Sequence, residues 1–264
     1  MSSSRQWSKK SLRYGFVLLR LLLPPALASS VSLLMLRLMS LLKKIRDRGV
    51  LHSAETLFNR IVPAALFRFS VGEVLELDVQ LMCETLTAMD NRGFVMKCVE
   101  DADERDALRT TTWNSVPKET THHDLGYAIC GADDPQAVLG GVWGGVESFI
   151  EADLGFRIQL DPDQAWIYCA YVSKQARGKG VYKRILTFAA DDLRNRGHTR
   201  LRVVVQPWNK ASMYIHEKYS TRKVGRIIVV RFFFLASVFC TGQLSKNKTF
   251  TTKIAAAPVE FKVP

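Results

Sequence analysis

Val172-Ser173-Lys174-Gln175-Ala176-Arg177-Gly178-Lys179-Gly180-Val181-Tyr182 joins an aromatic, apolar run, Trp166–Val172, to a stripe in which Val181, Ile185, Ala189 and Leu193 recur every four residues. The run predicts a buried strand, and the stripe predicts an amphipathic helix ended by Gly197. Between them lies a short loop with two glycines. A helix start offers free N–H groups and the positive end of the dipole, so it attracts anions. Glycines let the backbone approach a pyrophosphate closely. Arg177, Lys179 and Lys183 add positive charge beside the loop. Taken locally, the pattern also fits a tight strand–helix turn with no ligand. It is not a dinucleotide fingerprint, which needs G-x-G-x-x-G in an early βαβ unit, nor a P-loop, because Val181 follows Gly180.

Strand and helix signals alternate outward from this turn. Downstream, Leu201–Val205 reads as a strand, Asn209 caps a helix through about Tyr219, and Arg226–Phe239 is long enough for one strand and a bend. Upstream, Phe94–Val99 reads as a strand and Asp101 caps a helix through about Thr111. Tyr127–Cys130 and Ala137–Val146 form a hairpin around Asp133-Asp134-Pro135. The order predicts a mixed α/β domain over about 93–240. Residues 61–92 read as a connector with one strand-like stretch, Phe69–Val79, and 241–264 as a loose tail.

The formal charge of +12 sits at the ends. Residues 1–60 hold 11 Lys/Arg against 2 Asp/Glu, residues 241–264 hold 4 against 1, and the middle holds 22 of each. A balanced body argues against a nucleic-acid-binding core. The basic ends suit anionic lipid headgroups. The uncharged stretch Leu21–Leu36 contains Pro24-Pro25 and is short for a spanning helix, which wants about 20 apolar residues. A signal peptide competes, with Ala26-Leu27-Ala28 as the cleavage-like site, as does a start at Met35 or Met39. From Val31 to about Arg60, Leu34, Leu38, Leu41 and Leu42 recur at helical spacing ahead of Lys43, Lys44, Arg46 and Arg48. That segment reads equally as an interfacial anchor and as a helix packed on its own core. Five cysteines without CxxC spacing give neither a disulfide framework nor a zinc site.

At two motifs the chain resembles the GNAT superfamily of acyl-CoA-dependent N-acyltransferases. The family reads V-x-P-x-Y-R-G-x-G between a strand and a helix, and Val172, Arg177, Gly178 and Gly180 match in spacing. It then often reads N-x-x-S/A-x-x-x-Y/H-E-K-x-G-F, and Asn209, Ser212, His216, Glu217 and Lys218 stand in register. The chain departs from the pattern at Ser220-Thr221, where Gly-Phe is usual, and at Tyr182, where Gly or Ala is usual. The resemblance implies a mixed, mostly antiparallel sheet splayed at the fourth strand, Trp166–Val172. Helices cover both faces, and an N-terminal helical extension precedes the domain. It also implies a cytoplasmic N-acyltransferase, peripheral on the inner face of the membrane if residues 1–60 anchor it. Acetyl-CoA or another acyl-CoA is then the co-substrate, no metal is needed, and the acceptor is the amine of a small molecule or amino sugar. The competing reading is a non-catalytic acyl-CoA-binding or structural module at a membrane surface.

By the same resemblance, the backbone of Arg177, Gly178, Lys179, Gly180, Val181, Tyr182 and Lys183 holds the pyrophosphate. Ala170 and Val172 pair with pantetheine, and Asn209 contacts the cofactor while capping its helix. His216 stands where relatives carry a Tyr acting as general acid, and an imidazolium can do that work. Glu147 and Glu151, just after the third strand, are the candidate bases, set against a plain role as solvated charges. His122-His123-Asp124 lacks further ligands at metal spacing and reads as a polar loop. Cys169 has no activating neighbour in sequence and reads as packing.

Overall fold

The structure is a computed structural model that describes residues 62, 66–112, 124–151, 156–233, 235–246, 250–254 and 259–263. The basic Leu-rich segment 1–60 and the pair His122-His123 lie outside the described residues.

Twelve strands and four α-helices are described. In chain order they are β1 (Phe67–Leu77), α1 (Val79–Ala88), β2 (Phe94–Val99), α2 (Ala102–Thr111), β3 (Leu125–Gly131), β4 (Val138–Gly145), β5 (Ser148–Glu151) and β6 (Phe156–Gln159). There follow β7 (Gln164–Val172), α3 (Val181–Asn195), β8 (Arg200–Val205), α4 (Lys210–Lys218), β9 (Ser220–Phe232), β10 (Leu235–Cys240), β11 (Phe250–Ile254) and β12 (Val259–Lys262). Nine strands make one sheet, in the order β11-β10-β9-β1-β8-β7-β4-β3-β2, and β12-β6-β5 make a small second one. In the large sheet only β7 and β8 run parallel.

Period-two alternation sorts the strand residues between two cores. Leu75, Ala165, Ile167, Leu201 and Val203 face α1, α3 and α4, whose Met82, Ile185, Ala189, Leu193 and Met213 close over them. Val74, Trp143, Trp166 and Tyr168 face the opposite way, toward Leu108 of α2 and the small sheet. This is the expected α/β arrangement with helices on both faces. The four-residue stripe of α3 is fully buried, and the hairpin β3–β4 lies where the sequence puts it.

Three expectations need correction. The supposed connector is structural: β1 sits in the middle of the large sheet, paired with β8 on one side and β9 on the other. The supposed tail contributes β11 at the sheet edge and β12 beside β6. The sheet therefore extends past 93–240 at both ends. Trp166–Val172, the expected fourth strand, carries the label β7 because β1, β5 and β6 are counted as well, and the sheet opens along it as expected. Arg226–Phe239 spans not one strand and a bend but the turn of a long hairpin, because β9 already begins at Ser220.

Two irregularities of β7 shape the centre of the sheet. Its pairing with β8 runs from Gln164–Arg200 to Ile167–Val203 and stops there, although both strands continue. The sheet thus begins to open five residues before Val172. On the other side, Trp143 pairs with Tyr168 but Gly141 pairs with Tyr171, so β7 carries one extra residue there. Cys169, at this bulge, has φ +46°, a left-handed conformation that side chains other than glycine rarely adopt.

A buried ion pair ties β1 to β8. Arg202 is completely buried, its guanidinium donates to Glu76 at 3.1 and 3.3 Å, and its other end donates to the Val263 carbonyl at 3.0 Å. Glu76 also accepts two hydrogen bonds from Arg222 at 3.0 Å.

Candidate active site

The loop from β7 to α3 makes a single 3₁₀ turn over Lys174–Ala176 and then rises through two left-handed glycines, Gly178 at φ +78° and Gly180 at φ +72°. Gly180 is the N-cap of α3. Arg184 is the first residue whose N–H bonds back to the cap, at 3.2 Å to the Gly180 carbonyl. That leaves the first-turn amides of Val181, Tyr182 and Lys183 to other acceptors. Arg184 also braces the loop, donating to the carbonyls of Lys179 at 3.1 Å and Asp90 at 2.9 Å while lying over the Phe94 ring. Arg177 donates to the Val172 carbonyl at 3.2 Å. Arg177, Gly178, Lys179 and Gly180 are exposed, so the turn presents donors and positive charge to solvent. It fits a diphosphate.

Where β7 and β8 part, Tyr168, Cys169, Val204 and Val205 line a cleft of about 440 Å³. One wall is aromatic: Phe149 packs against Phe156 at 6.2 Å and Tyr168 at 5.0 Å between ring centroids. The lining also includes Val204 of β8 and Ile227 and Val229 of β9. Gly72 belongs to it for a steric reason, since a Cβ there would stand 2.2 Å from Cγ2 of Val204. Gln206, Asn209 and Ser212 line the edge at the start of α4. The Asn209 side chain caps that helix, accepting from the Ser212 N–H at 3.3 Å.

Of the carboxylates proposed as bases, Glu151 lines the cleft. Glu147 stands exposed in the β4–β5 turn, outside the lining. Ala170 is exposed on the stretch of β7 that no longer pairs with β8, and Val172 is half-buried with its carbonyl engaged by Arg177.

His216 differs from its expected role. It is 1% exposed and does not line the cleft. Its Nδ1 lies 2.8 Å from the Ser212 carbonyl, which can only accept, so Nδ1 carries the hydrogen. Nε2 then accepts from the Tyr182 hydroxyl at 2.8 Å. Burial pushes the imidazole pKa below its ordinary value, and the Ser212 carbonyl offsets only part of this. The ring is therefore neutral near pH 7, not the charged acid the motif suggested. Tyr182, the residue that departs from the family pattern, is its partner. Burial raises the phenol pKa, so it stays a donor. Together they latch the first turn of α3 to α4.

Sequence reasoning missed a second buried pair. The Tyr168 hydroxyl donates to Asp124 Oδ2 at 2.5 Å, with Asp124 only 5% exposed. Asp124 was legible only as the end of a polar triplet. It also missed Ser70 and Gly72, both in the cleft lining and both from the stretch read as a connector.

A sequence profile of the acetyltransferase (GNAT) family matches residues 89–220. Among solved structures, a GCN5-related N-acetyltransferase from Kribbella flavida is 9% identical with a TM-score of 0.40, covering 53% of this chain and 50% of its own. A Drosophila protein is 12% identical with a TM-score of 0.45, covering 70% and 58%. AAC(6')-Iy, solved with the bisubstrate analogue CoA-S-monomethyl-acetylneamine, is 15% identical with a TM-score of 0.36, covering 48% and 88%. The chain thus spans half of the Kribbella protein's length. A search of curated proteins gave no match.

Proposed function

The chain belongs to the GNAT acetyltransferase family, and from that premise we propose that it moves an acetyl group from acetyl-CoA to the primary amine of a small molecule by direct attack. One observation carries the reading: the β7–β8 pairing ends at Ile167–Val203 immediately ahead of the glycine turn that opens α3. Opened strands leave room for an extended pantetheine arm, and the turn fits the diphosphate at its end.

The amine attacks the thioester carbon of acetyl-CoA, the carbon–sulfur bond breaks, and CoA leaves as a thiolate that takes up a proton from solvent. The amides and cations of Arg177–Lys183 hold the diphosphate. Ala170 and Val172, on the end of β7 that no longer pairs with β8, flank the arm, and Asn209 stands at the cleft edge beside it. Holding donor and amine side by side replaces a bimolecular encounter by a local one, so no covalent enzyme intermediate is needed. Glu151, on the cleft lining, takes the proton that the attacking amine must shed. His216 and Tyr182 act as positioning residues, fixing the diphosphate turn against the helix that carries Asn209 and Ser212.

The deciding experiment incubates the full chain with acetyl-CoA and a panel of primary amines and follows free CoA thiol. Amine-dependent release is expected. CoA binding without release for every amine favours the non-catalytic module.

The latch makes its own prediction. His216→Ala leaves the half-buried Tyr182 hydroxyl without its acceptor and removes a packed ring, at a cost of about 2–4 kcal/mol of stability. The kcat should fall by less than about tenfold, well short of the ~10²–10⁴ expected for loss of a general acid. Tyr182→Phe, which removes only the donor, should reproduce a smaller part of both effects. A neutral histidine in the folded state also fixes the sign with pH. Its folded pKa lies below the unfolded value, so the stability it contributes is present above about pH 6.5 and is lost as pH falls through the folded pKa. Thermal melts of wild type and His216→Ala between pH 5 and 8 read this directly, since the gap between them should narrow on the acid side.

A further inference from the structure

We infer that the end of the large sheet formed by the β9–β10 turn and the start of β1 docks on an anionic lipid surface. The turn departs from the chemistry its length asks for. Phe232 pairs with Leu235, so only Phe233-Phe234 connect β9 to β10. A two-residue hairpin turn favours Asn-Gly or a similar pair, because its residues take positive φ. Phe233 has φ +51°, a left-handed conformation that a bulky side chain rarely adopts. Its N–H donates to the Leu66 carbonyl at 2.8 Å, one step past the Phe67–Phe232 pair, and this holds the turn beside β1. Packing does not account for the choice of residue. Phe232 is 54% exposed and Phe233 46%, their rings meet edge to face at 4.6 Å between centroids, and Leu66 and Leu235 beside them are exposed as well. Strain kept at an exposed apolar apex points to a use outside the fold.

The charge beside the turn selects the occupant. One residue back from the register Phe67–Phe232–Leu235–Ile254 runs the register Arg68–Arg231–Ala236–Lys253. Arg68 and Arg231 stand directly opposite each other, a like-charge pairing that destabilises a sheet. The Arg231 Nε is buried without a hydrogen-bond partner. The strand segments that meet at this end, residues 66–72, 226–240 and 250–254, contain Arg68, Arg226, Arg231 and Lys253 and no Asp or Glu. An external anion relieves the repulsion between the two arginines. The aromatic apex makes that anion a lipid headgroup. Phenylalanine rings settle at the boundary between headgroups and hydrocarbon, and an apex enters a fluid surface where a groove would take a peptide. A strand rises about 3.3 Å per residue. An end-on approach therefore sets the Phe232 row in that boundary and the basic row one step behind it, level with the phosphates.

The test sediments the full chain with vesicles of phosphatidylcholine alone and of phosphatidylcholine with roughly one third phosphatidylserine. The wild type should bind the anionic vesicles and leave the neutral ones nearly bare. Each cation near such a surface contributes about fivefold to partitioning, so the double variant Arg68→Gln with Arg231→Gln should weaken binding by about 25-fold. Its melting temperature should hold or rise, because the like-charge pairing is gone. Phe233→Asn removes the ring and suits the left-handed turn. It should raise the melting temperature and still weaken vesicle binding by about tenfold. Stability gained while binding is lost is a combination that a purely structural turn does not give. Unchanged binding in both variants would assign the lipid contact to another part of the chain, with the basic residues 1–60 the first candidate, and would overturn the proposal. Equal binding of the wild type to both vesicles, or to neither, overturns it as well. A wild-type dimer in light scattering that Phe233→Asn dissociates, with vesicle binding untouched, would make the occupant a second copy of the chain and not a lipid surface.

Discussion

Gly180→Glu should abolish CoA binding while the fold survives. The wild-type turn places Gly180 at φ +72° as the cap of α3, with the first-turn amides just beyond it. A glutamate there brings a carboxylate to the place meant for phosphate and offers the same amides an acceptor from within the chain. Two like charges about 4 Å apart repel by about 4 kcal/mol at an effective dielectric of 20, which corresponds to roughly a thousandfold in affinity. Strain is the smaller term. A non-glycine residue in the left-handed region costs about 1–2 kcal/mol of stability. A Cβ at this position would meet only the flexible end of Arg184, at 2.7 Å. Gly180→Asn separates the two effects, since asparagine tolerates the left-handed region and carries no charge. Calorimetric titration with CoA should find that the Asn variant loses less than about tenfold and the Glu variant loses all measurable binding. Unchanged affinity in a folded Gly180→Glu protein would place the diphosphate elsewhere.

Glu76→Ala should produce the largest loss of stability of any single carboxylate change in the large sheet. Arg202 lies completely buried, and Glu76 is its carboxylate partner. Breaking such a pair from one side leaves a charge in the interior, at a cost of about 3–5 kcal/mol. The Val263 carbonyl remains as a hydrogen-bond partner for Arg202. For a domain of this size, that corresponds to a fall in melting temperature of about 6–20 °C. The double variant Glu76→Leu with Arg202→Met should recover most of the loss, because the desolvation cost disappears along with the pair. Burial works to raise the Glu76 pKa, but the hydrogen bonds from Arg222 and Arg202 outweigh it and the net shift is downward. Its contribution is therefore present above the unfolded pKa near 4.5 and is lost as pH falls through the lower folded value. Melts of the two single variants and the double variant, at pH 7 and pH 3.5, test both claims. Additive losses would refute the pairing argument.

The legible parts of this fold are those whose partners are close in sequence. The α3 stripe, the caps at Asp101 and Asn209 and the β3–β4 hairpin each depend on residues a few positions apart, and each stands where the residues put it. The turn through Gly178 and Gly180 was legible for the same reason. β1 was legible as the strand-like stretch Phe69–Val79 but not as the centre of the sheet, because its strand partners and those of Glu73 and Glu76 lie more than a hundred residues away. β5 and β6 have four residues each, too few for periodicity to speak. His216 shows the same limit at the site. Its position in the motif was visible, but its neutral state follows from burial that no local pattern reveals, and its partner Tyr182 stands 34 residues earlier.

The central place of β1 also sets a problem of timing. Leu77 pairs with Leu201, and Phe67 pairs with Phe232. At a synthesis rate of about 5–20 residues per second, β1 leaves the ribosome on the order of ten seconds before either neighbouring strand exists. Throughout that interval both of its edges lack their partners, and closing such long loops is slow. The nascent chain is therefore most vulnerable to mispairing and aggregation before β8 emerges, and its yield in cells should depend on chaperones that hold extended apolar segments.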